Sequence, residues 1–416
     1  MSCGDFFEIS FYIVYLLHQQ TLSKVLMLKK KMKTKAVKMT SYPIAPTETT
    51  VKKNLNLEAF RGIMALMVLI SHVELVRMYF GRSYDYMYPV MFHLGRVGVT
   101  GFFVLSGYLI TMSILNRKES NNWSIRGFYI GRIFRIWPLY FLIIFLAIVV
   151  LPNVSQLQFI LPNYVTDARV ATGNYWHYIF FMPQTPLINN VVLPFAEPTW
   201  SIGVEEIFYL IIPWVIVTAN KKLQNGLIVF IVLFVIAKYT VLYGYQLPNT
   251  SMPAKLLTYY RYDCIALGVL LGVLHFNKKK LFTAINGLHL TLSVVAIFIL
   301  FKNLTIERYD YFPFGICFAV IIAYFANKNT SFKSPRWLVY IGTISYSLYL
   351  THEIVIVYFI NLGFDRKPMI LMYILCIIGA IILASALYFL IEKPFMKFGA
   401  SKFPHTRKLS TETNSN

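Results

Sequence analysis

The chain has 416 residues, of which 57% are hydrophobic and only 14% are charged, and its mean hydropathy is +0.58. A soluble globular domain carries about 25% charged residues, so this composition excludes an ordinary soluble protein. The formal net charge of +21 does not indicate a nucleic-acid-binding protein, because the basic residues lie in the connections between apolar runs and not on one module.

The first 56 residues differ in composition from the rest. The apolar run 6–17 is too short to cross a bilayer, and it lacks the preceding basic region and the cleavage site of a signal peptide. A basic tract follows at 24–38. We therefore expect residues 1–56 to form a poorly ordered cytoplasmic tail that contacts anionic lipid headgroups.

Apolar runs near the ~20 residues needed to cross a bilayer recur from Leu57 to Ile391. They predict an all-α integral membrane domain over 57–396 with about ten transmembrane helices, followed by a cytoplasmic tail over 397–416. The ten predicted spans begin close to Leu57, Gly98, Ile136, Ile202, Leu227, Tyr262, Leu288, Tyr311, Trp337 and Met369.

Basic residues are concentrated in alternate connections and in both tails, as is typical of cytoplasmic loops. With an even number of spans, we expect both termini in the cytoplasm and the chain in the inner, cytoplasmic membrane of the cell. The segment 175–195 is apolar but contains three prolines, so we expect it to be interfacial or re-entrant.

Four cysteines lack any CxxC spacing, and three of them lie inside apolar segments. They are Cys3, Cys264, Cys317 and Cys376. Small buried apolar side chains are the simplest interpretation, so neither disulfides nor a metal site is expected.

The first span carries two ionisable residues, Arg61 and His72, which are expensive at membrane depth. They are eleven positions apart, which at ~100° per residue places them on nearly the same helix face, ~16 Å apart along the axis. The pairing favours a functional stripe over a histidine that only packs between helices.

Two further groups of arginines are weaker signals. Arg96 lies before the second span, beside three closely spaced glycines. The simple alternative to a functional role is an interfacial position for Arg96 and a helix-packing seam for the glycines. Arg132 and Arg135 are three positions apart and therefore adjacent on a helix, where each guanidinium could bind a phosphate through two hydrogen bonds. Ordinary cytoplasmic loop charge is the alternative for this pair.

Glu205 and Glu206 lie a few residues inside a predicted span, and neighbouring helix positions point ~100° apart. We expect one of them to meet His72 and orient its imidazole for general-base chemistry, and the other to serve structure. Arg261 and Asp263 are expected to neutralise each other. His352 is predicted at the depth of His72, where it would line the same cavity.

Taken together, these segments resemble the bacterial acyltransferase family 3 of membrane O-acyltransferases, from about Leu57 to Phe395. Six motifs in order carry the resemblance: Arg61 and His72 separated by ten residues, FFVLSGYLI, the RxxR of Arg132 and Arg135, TWSIGVEEIFYL, ISYSLYLTH and FLIEKPF. The chain departs from the family pattern at Glu58-Ala59, and at Thr351 and Glu353 beside His352.

The resemblance implies the transfer of an acyl group from cytoplasmic acyl-CoA to a hydroxyl of an envelope glycan or lipid-linked acceptor. It also implies that the acyl group is acetyl. It implies an essential histidine at His72 and functional roles for Arg61, Arg132, Arg135 and the glutamate pair. Acyl-CoA is then a donor substrate, and no permanently bound cofactor or metal is expected.

In the expected mechanism, the donor phosphates bind the arginines and His72 deprotonates the attacking hydroxyl, with an acyl-histidine intermediate as the alternative. Arg96 and Tyr209 are candidates for stabilising the oxyanion, and Arg261, Asp263 and His352 are further candidates for contacts with the substrate or the oxyanion. The main competing hypothesis is a multi-span proton-coupled transporter, which would also carry intramembrane His, Arg and Glu residues.

Overall fold

A computed structural model describes residues 54–402 except 83, 172, 219–221, 249, 278–279, 281–283, 306–309 and 328–331. The basic tail predicted for residues 1–56 lies outside these residues up to position 53, as does the end of the predicted second tail from position 403. The described helices are α1 (Leu55–Tyr79), α2 (Pro89–Glu119), α3 (Ile125–Phe145), α4 (Tyr175–Ile179), α5 (Gln184–Ile188), α6 (Thr199–Thr218), α7 (Leu223–Tyr239), α8 (Met252–Tyr260), α9 (Tyr262–Asn277), α10 (Gly287–Asn303), α11 (Phe312–Ala326), α12 (Arg336–Thr343), α13 (Ser345–Asn361), α14 (Met369–Leu387) and α15 (Lys393–Lys402).

Seven helical segments of the described chain are long and apolar enough to cross a membrane, and α12 with α13 forms an eighth if this bent pair is one span. The seven segments are Leu55–Tyr79, Pro89–Glu119, Ile125–Asn153, Thr199–Thr218, Leu223–Gly244, Met252–Asn277 and Met369–Lys402. The apolar helices α10 and α11 are shorter, with 17 and 15 residues. The predicted all-α membrane fold is confirmed, whereas the count of ten crossings is not.

The centre of the fold is α2, which packs against α1 on one side and α9 on the other. Glycines allow these close approaches: a Cβ on Gly98 would lie 2.9 Å from the carbonyl oxygen of Met64 in α1, and one on Gly268 of α9 would lie 2.0 Å from that of Val104. The glycines before and within the second span therefore form a helix-packing seam, as one of the two interpretations predicted.

Two helical spans are interrupted close to the polar residues of the domain. Arg261 separates α8 from α9 in a left-handed conformation, with φ 42° and ψ 38°. Ile344 separates α12 from α13, whose axes are bent by 80°. Such breaks at membrane depth require other groups to satisfy the backbone. At Arg261, the side chain itself contributes by donating from Nε to the carbonyl of Thr258 at 2.8 Å.

The proline-containing segment after α3 does not form a long helix. It contains the short helices α4 and α5 and a two-residue strand, Val191–Val192, which pairs in parallel with Thr166–Asp167. The prediction that this segment is not a clean crossing is confirmed. At the other end of the chain, α15 extends to Lys402 and packs on α3, beyond the boundary predicted at 396.

Three of the four cysteines lie in the described residues, and all three are free and buried. Cys264, Cys317 and Cys376 thus serve as small apolar side chains, as predicted. Large apolar side chains remain exposed along α7, α10 and α14, which is the arrangement expected of helices that face lipid.

Candidate functional site

The imidazole of His72 on α1 is held by α13. Its Nδ1 lies 2.7 Å from Nε2 of His352 and 3.7 Å from a carboxylate oxygen of Glu353. His352 and Glu353 are fully buried, and 14% of the His72 side chain is exposed. The predicted proximity of His352 to His72 is therefore present as a direct contact between the two rings.

The backbone of α13 fixes the tautomers of both histidines. Nδ1 of His352 lies 3.1 Å from the carbonyl oxygen of Leu348, which can only accept a hydrogen bond, so Nδ1 carries the proton. Nε2 of His352 is then an acceptor and takes the Nδ1 proton of His72. This order leaves the lone pair of His72 on Nε2, which makes no hydrogen bond within the described part of the chain.

His72, His352 and Glu353 are also close enough to be considered as metal ligands, since their donor atoms lie within 4.8 Å of one another. Two ligand atoms of tetrahedral zinc are about 3.3 Å apart, given zinc–nitrogen bonds of about 2.0 Å. The 2.7 Å between the two rings is instead a hydrogen-bond distance. The geometry suits a shared proton better than a cation.

His72 opens into a cavity that we name the histidine cavity, whose lining includes Arg96, Glu197, Trp200 and Tyr349. Arg96 donates from Nη1 to the Tyr86 hydroxyl at 2.9 Å and to the Phe92 carbonyl at 2.7 Å. The oxyanion candidate Arg96 therefore lies in the same cavity as His72.

Glu197 is a second carboxylate of the histidine cavity, and it lies in the loop before α6. It accepts a hydrogen bond of 3.2 Å from Tyr79 and interacts electrostatically with Glu353. Burial raises the pKa of Glu197 to about 7, against the smaller lowering effects of Tyr79 and Arg96. Sequence reasoning missed both Glu197 and Glu353. The sequence did carry a signal for Glu353, because a carboxylate inside a membrane span, directly after His352, is costly unless it has a function.

The expected contact of His72 with Glu205 or Glu206 is wrong in this structure. Glu205 accepts a hydrogen bond from Tyr209, which also contacts Ser106, and Glu206 accepts one of 3.2 Å from the indole of Trp137. Both glutamates lie one to two turns further along α6 than the histidine cavity. Neighbouring positions do take different partners, as predicted, but α13 and not α6 supplies the carboxylate beside His72.

Glu205 and Tyr209 line a second cavity, which we name the arginine cavity, together with Arg61, Arg132 and Arg135. Arg61 lies 3.8 Å from Glu58, and the guanidinium of Arg132 lies 5.6 Å from the centre of the Tyr209 ring. The three arginines that the resemblance selected thus converge. Tyr209, in contrast, is in this cavity and not beside His72, so it and Arg96 cannot serve one oxyanion together.

Tyr349 lines both cavities. Its hydroxyl is 2.8 Å from that of Ser201, which lines the arginine cavity. The Tyr349 ring also lies 6.2 Å from the ring of His352. This side chain on α13 is therefore the shared wall between the arginines and the histidine pair.

Arg261 and Asp263 do not neutralise each other as expected. Arg261 donates to the carbonyl of Arg96 at 2.6 Å and to Thr100 at 3.0 Å, and it stacks over Tyr311 at 4.1 Å. Asp263 instead pairs with the buried Lys238 of α7. Because a left-handed residue separates α8 from α9, the two side chains leave the helix in different directions.

Comparison with known proteins gives a family for this arrangement. A family profile described as an acyltransferase domain matches residues 54–389. Peptidoglycan O-acetyltransferase OatA of Listeria monocytogenes is 32% identical over 73% of this chain and 52% of its own length. YrhL of Bacillus subtilis, named as a proposed peptidoglycan O-acetyltransferase, is 27% identical over 77% of this chain and 55% of its own.

The chain spans about half the length of these curated relatives. No solved structure matches it. The matched residues include every helix that contributes to the two cavities, from α1 to α13. The chain therefore belongs to acyltransferase family 3, as the sequence motifs predicted, and it is a multi-pass membrane protein of that family.

Proposed function

We propose that this protein is a membrane O-acyltransferase that moves an acetyl group from acetyl-CoA to a hydroxyl of a cell-envelope glycan, with peptidoglycan as the first candidate. The observation that carries the proposal is the oriented imidazole of His72. Its Nδ1 is held by His352, and its ring lines a cavity that shares Tyr349 with a cavity of three arginines.

The arginine cavity suits the donor. Arg132 and Arg135 offer guanidinium groups that bind phosphate oxygens bidentately, and Arg61 adds a third positive charge at the start of α1. The uncharged pantetheine arm would extend from there toward Tyr349. Arg61 and His72 are ~16 Å apart along α1, which is the reach that the arm has to cover.

The histidine cavity suits the transfer step. His72 Nε2 removes the proton of the acceptor hydroxyl while the hydroxyl oxygen attacks the thioester carbonyl. General-base catalysis of this kind typically raises the rate about 10²- to 10⁴-fold. The carbon–sulfur bond then breaks, and His72 returns the proton to the CoA thiolate. Glu353 stabilises the imidazolium across 3.7 Å, and Arg96 stabilises the oxyanion.

The acceptor class follows from the relatives. OatA is named for the O-acetylation of peptidoglycan, and the family profile covers the residues of both cavities. A glycan hydroxyl would enter the histidine cavity from the side opposite the arginines. Cytoplasmic donor and external acceptor would then meet at His72 without either one crossing the membrane completely.

The test uses the purified protein in proteoliposomes with acetyl-CoA and soluble muropeptides. Release of the CoA thiol and formation of the acetyl ester are measured together, the latter by mass spectrometry. We expect His72→Gln to lower the rate at least 10²-fold, because glutamine cannot act as the base. His289→Gln is the matched control, since His289 is exposed on α10 and lies in neither cavity.

Retention of most activity by His72→Gln, with normal thermal stability, would contradict the proposal. The wild-type protein distinguishes the enzyme from the proton-coupled transporter. A transporter would move its substrate without forming an ester, so the absence of any acetylated product would favour it.

A further inference from the structure

A third cavity adjoins the arginine cavity and has no role in the mechanism above. It lies between the end of α2, the start of α3 and α15, and its lining includes Ser113, Arg117, Phe128 and Gly399. Its volume is about 180 Å³, against about 100 Å³ for the arginine cavity and about 40 Å³ for the histidine cavity. We name it the Arg117 cavity.

Arg132 and Arg135 line the Arg117 cavity as well as the arginine cavity. Tyr349 in turn lines both the arginine cavity and the histidine cavity. The three cavities therefore lie next to one another in a series from Arg117 to His72, each sharing lining residues with the next. A long ligand that reaches His72 through the arginine cavity has its other end beside Arg132 and Arg135, at the Arg117 cavity.

The charge of the Arg117 cavity is only partly offset by the protein, since Glu205 acts on Arg132 and Arg135, and Glu206 on Arg132, from beyond salt-bridge distance. Within the described part of the chain, no carboxylate lies within salt-bridge distance of Arg117, Arg132 or Arg135. Arg117 is partly buried at the last turn of α2, and Ser113 precedes it by four positions on the same helix face. Three guanidinium groups around one cavity form a site for a multiply charged anion.

We infer that the Arg117 cavity binds the nucleotide end of the donor, with Arg117 contacting the phosphate on the ribose while Arg132 and Arg135 hold the diphosphate. This inference rests on the proposed function. The nucleotide end of CoA carries all of its negative charge, and the pantetheine arm carries none. The order of the cavities matches this distribution, since three of their five arginines line the Arg117 cavity, and the uncharged side chains of Tyr349 and Ser201 lie between it and His72.

The first experiment measures binding without catalysis. The probe is 3′-phosphoadenosine 5′-phosphate, titrated calorimetrically into the purified protein in detergent. We expect Arg117→Gln to weaken binding about tenfold, which corresponds to a loss of about 1.4 kcal/mol. Arg126→Gln removes the same charge from the same region but is exposed and outside the cavity, so it should change binding less than about twofold.

The second experiment compares donors. Arg117→Gln should raise the apparent KM about tenfold for acetyl-CoA, less for its analogue without the ribose phosphate, and not at all for S-acetylpantetheine. An equal rise for all three donors, or an equal effect of Arg126→Gln, would overturn the inference. So would unchanged nucleotide binding by Arg117→Gln, which would leave anionic lipid as the occupant.

Failure of the inference and failure of the proposed function give different results. If His72→Gln abolishes transfer from all donors while Arg117→Gln behaves as the wild type, only the nucleotide site is wrong. If the wild-type protein transfers acetyl from none of the donors, the proposed function itself is wrong.

Discussion

At the scale of single residues, the orientation of His72 depends on a chain of hydrogen bonds that begins at a backbone carbonyl. Leu348 fixes the tautomer of His352, and His352 fixes that of His72. A carboxyl oxygen of Glu353 lies 3.7 Å from the same ring nitrogen. His352 is therefore a positioning residue in the proposed mechanism, because it acts through His72 and does not touch the reacting atoms.

We expect His352→Phe to lower kcat about 10²-fold, because the phenyl ring cannot accept a hydrogen bond from Nδ1 of His72. The tautomer of His72 is then no longer fixed. The KM for acetyl-CoA should stay within about twofold, since the arginine cavity is unchanged. His352→Gln should recover part of kcat, because its amide oxygen can accept that proton. Equal activity of the two variants in the proteoliposome assay would contradict this positioning role.

At the scale of helices, the approach of α12 to α1 brings α13 close enough for its histidine to reach His72. A Cβ on Gly342 would lie 1.8 Å from the carbonyl oxygen of Glu58, and one on Gly62 would lie 2.5 Å from that of Leu338. The two helices therefore touch backbone to backbone, immediately before the 80° bend into α13. Helix packing in a membrane depends on such small residues, because lipid is as apolar as the side chains.

We expect Gly342→Ala to lower the melting temperature in detergent by on the order of 5–10 °C, since the added methyl group forces α12 away from α1. Activity should fall with it, because His352 moves relative to His72. Gly226→Ala on α7 is the matched control: nothing lies within 4 Å of its added Cβ. This control should be as stable as the wild type or slightly more stable, owing to the helix propensity of alanine. Similar melting temperatures for both variants would show that the α1–α12 contact does not limit stability.

At the scale of the whole molecule, Arg61 and His72 lie toward opposite ends of α1, and Arg132 and Arg135 line the same cavity as Arg61. The helices α1, α2 and α3 alternate in direction, so the start of α1, the end of α2 and the start of α3 share one side. Coenzyme A thioesters are cytoplasmic metabolites, and the proposed function therefore requires this side to face the cytoplasm.

This orientation predicts the accessibility of single cysteines in a Cys3→Ser background, where the three buried cysteines do not react with membrane-impermeant maleimides. In intact cells Tyr164→Cys, which lies beyond the far end of α3, should be labelled. Glu119→Cys, at the end of α2, should be labelled only after lysis. The reverse pattern would place the arginines outside and exclude a cytoplasmic donor.

Several features of the protein could be predicted from its sequence because they depend on local patterns. The apolar runs predicted a helical membrane protein, and three prolines predicted that the segment before α6 is not a crossing. The spacing of Arg61 and His72 placed both on one face of α1, and the structure directs them into two cavities that share the Tyr349 wall. Helical periodicity alone is sufficient for such inferences.

Other features were decided only by the tertiary structure. Periodicity gives the direction of a side chain on its own helix, but not which helix lies opposite. It could not show that the partners of His72 are His352 and Glu353, about 280 residues further along the chain, and not Glu205 or Glu206. The pairing of Asp263 with Lys238 instead of Arg261 depends in the same way on the left-handed break before α9. These contacts arise where helices from distant parts of the chain pack through glycine, and their rotation about their own axes is set by that packing.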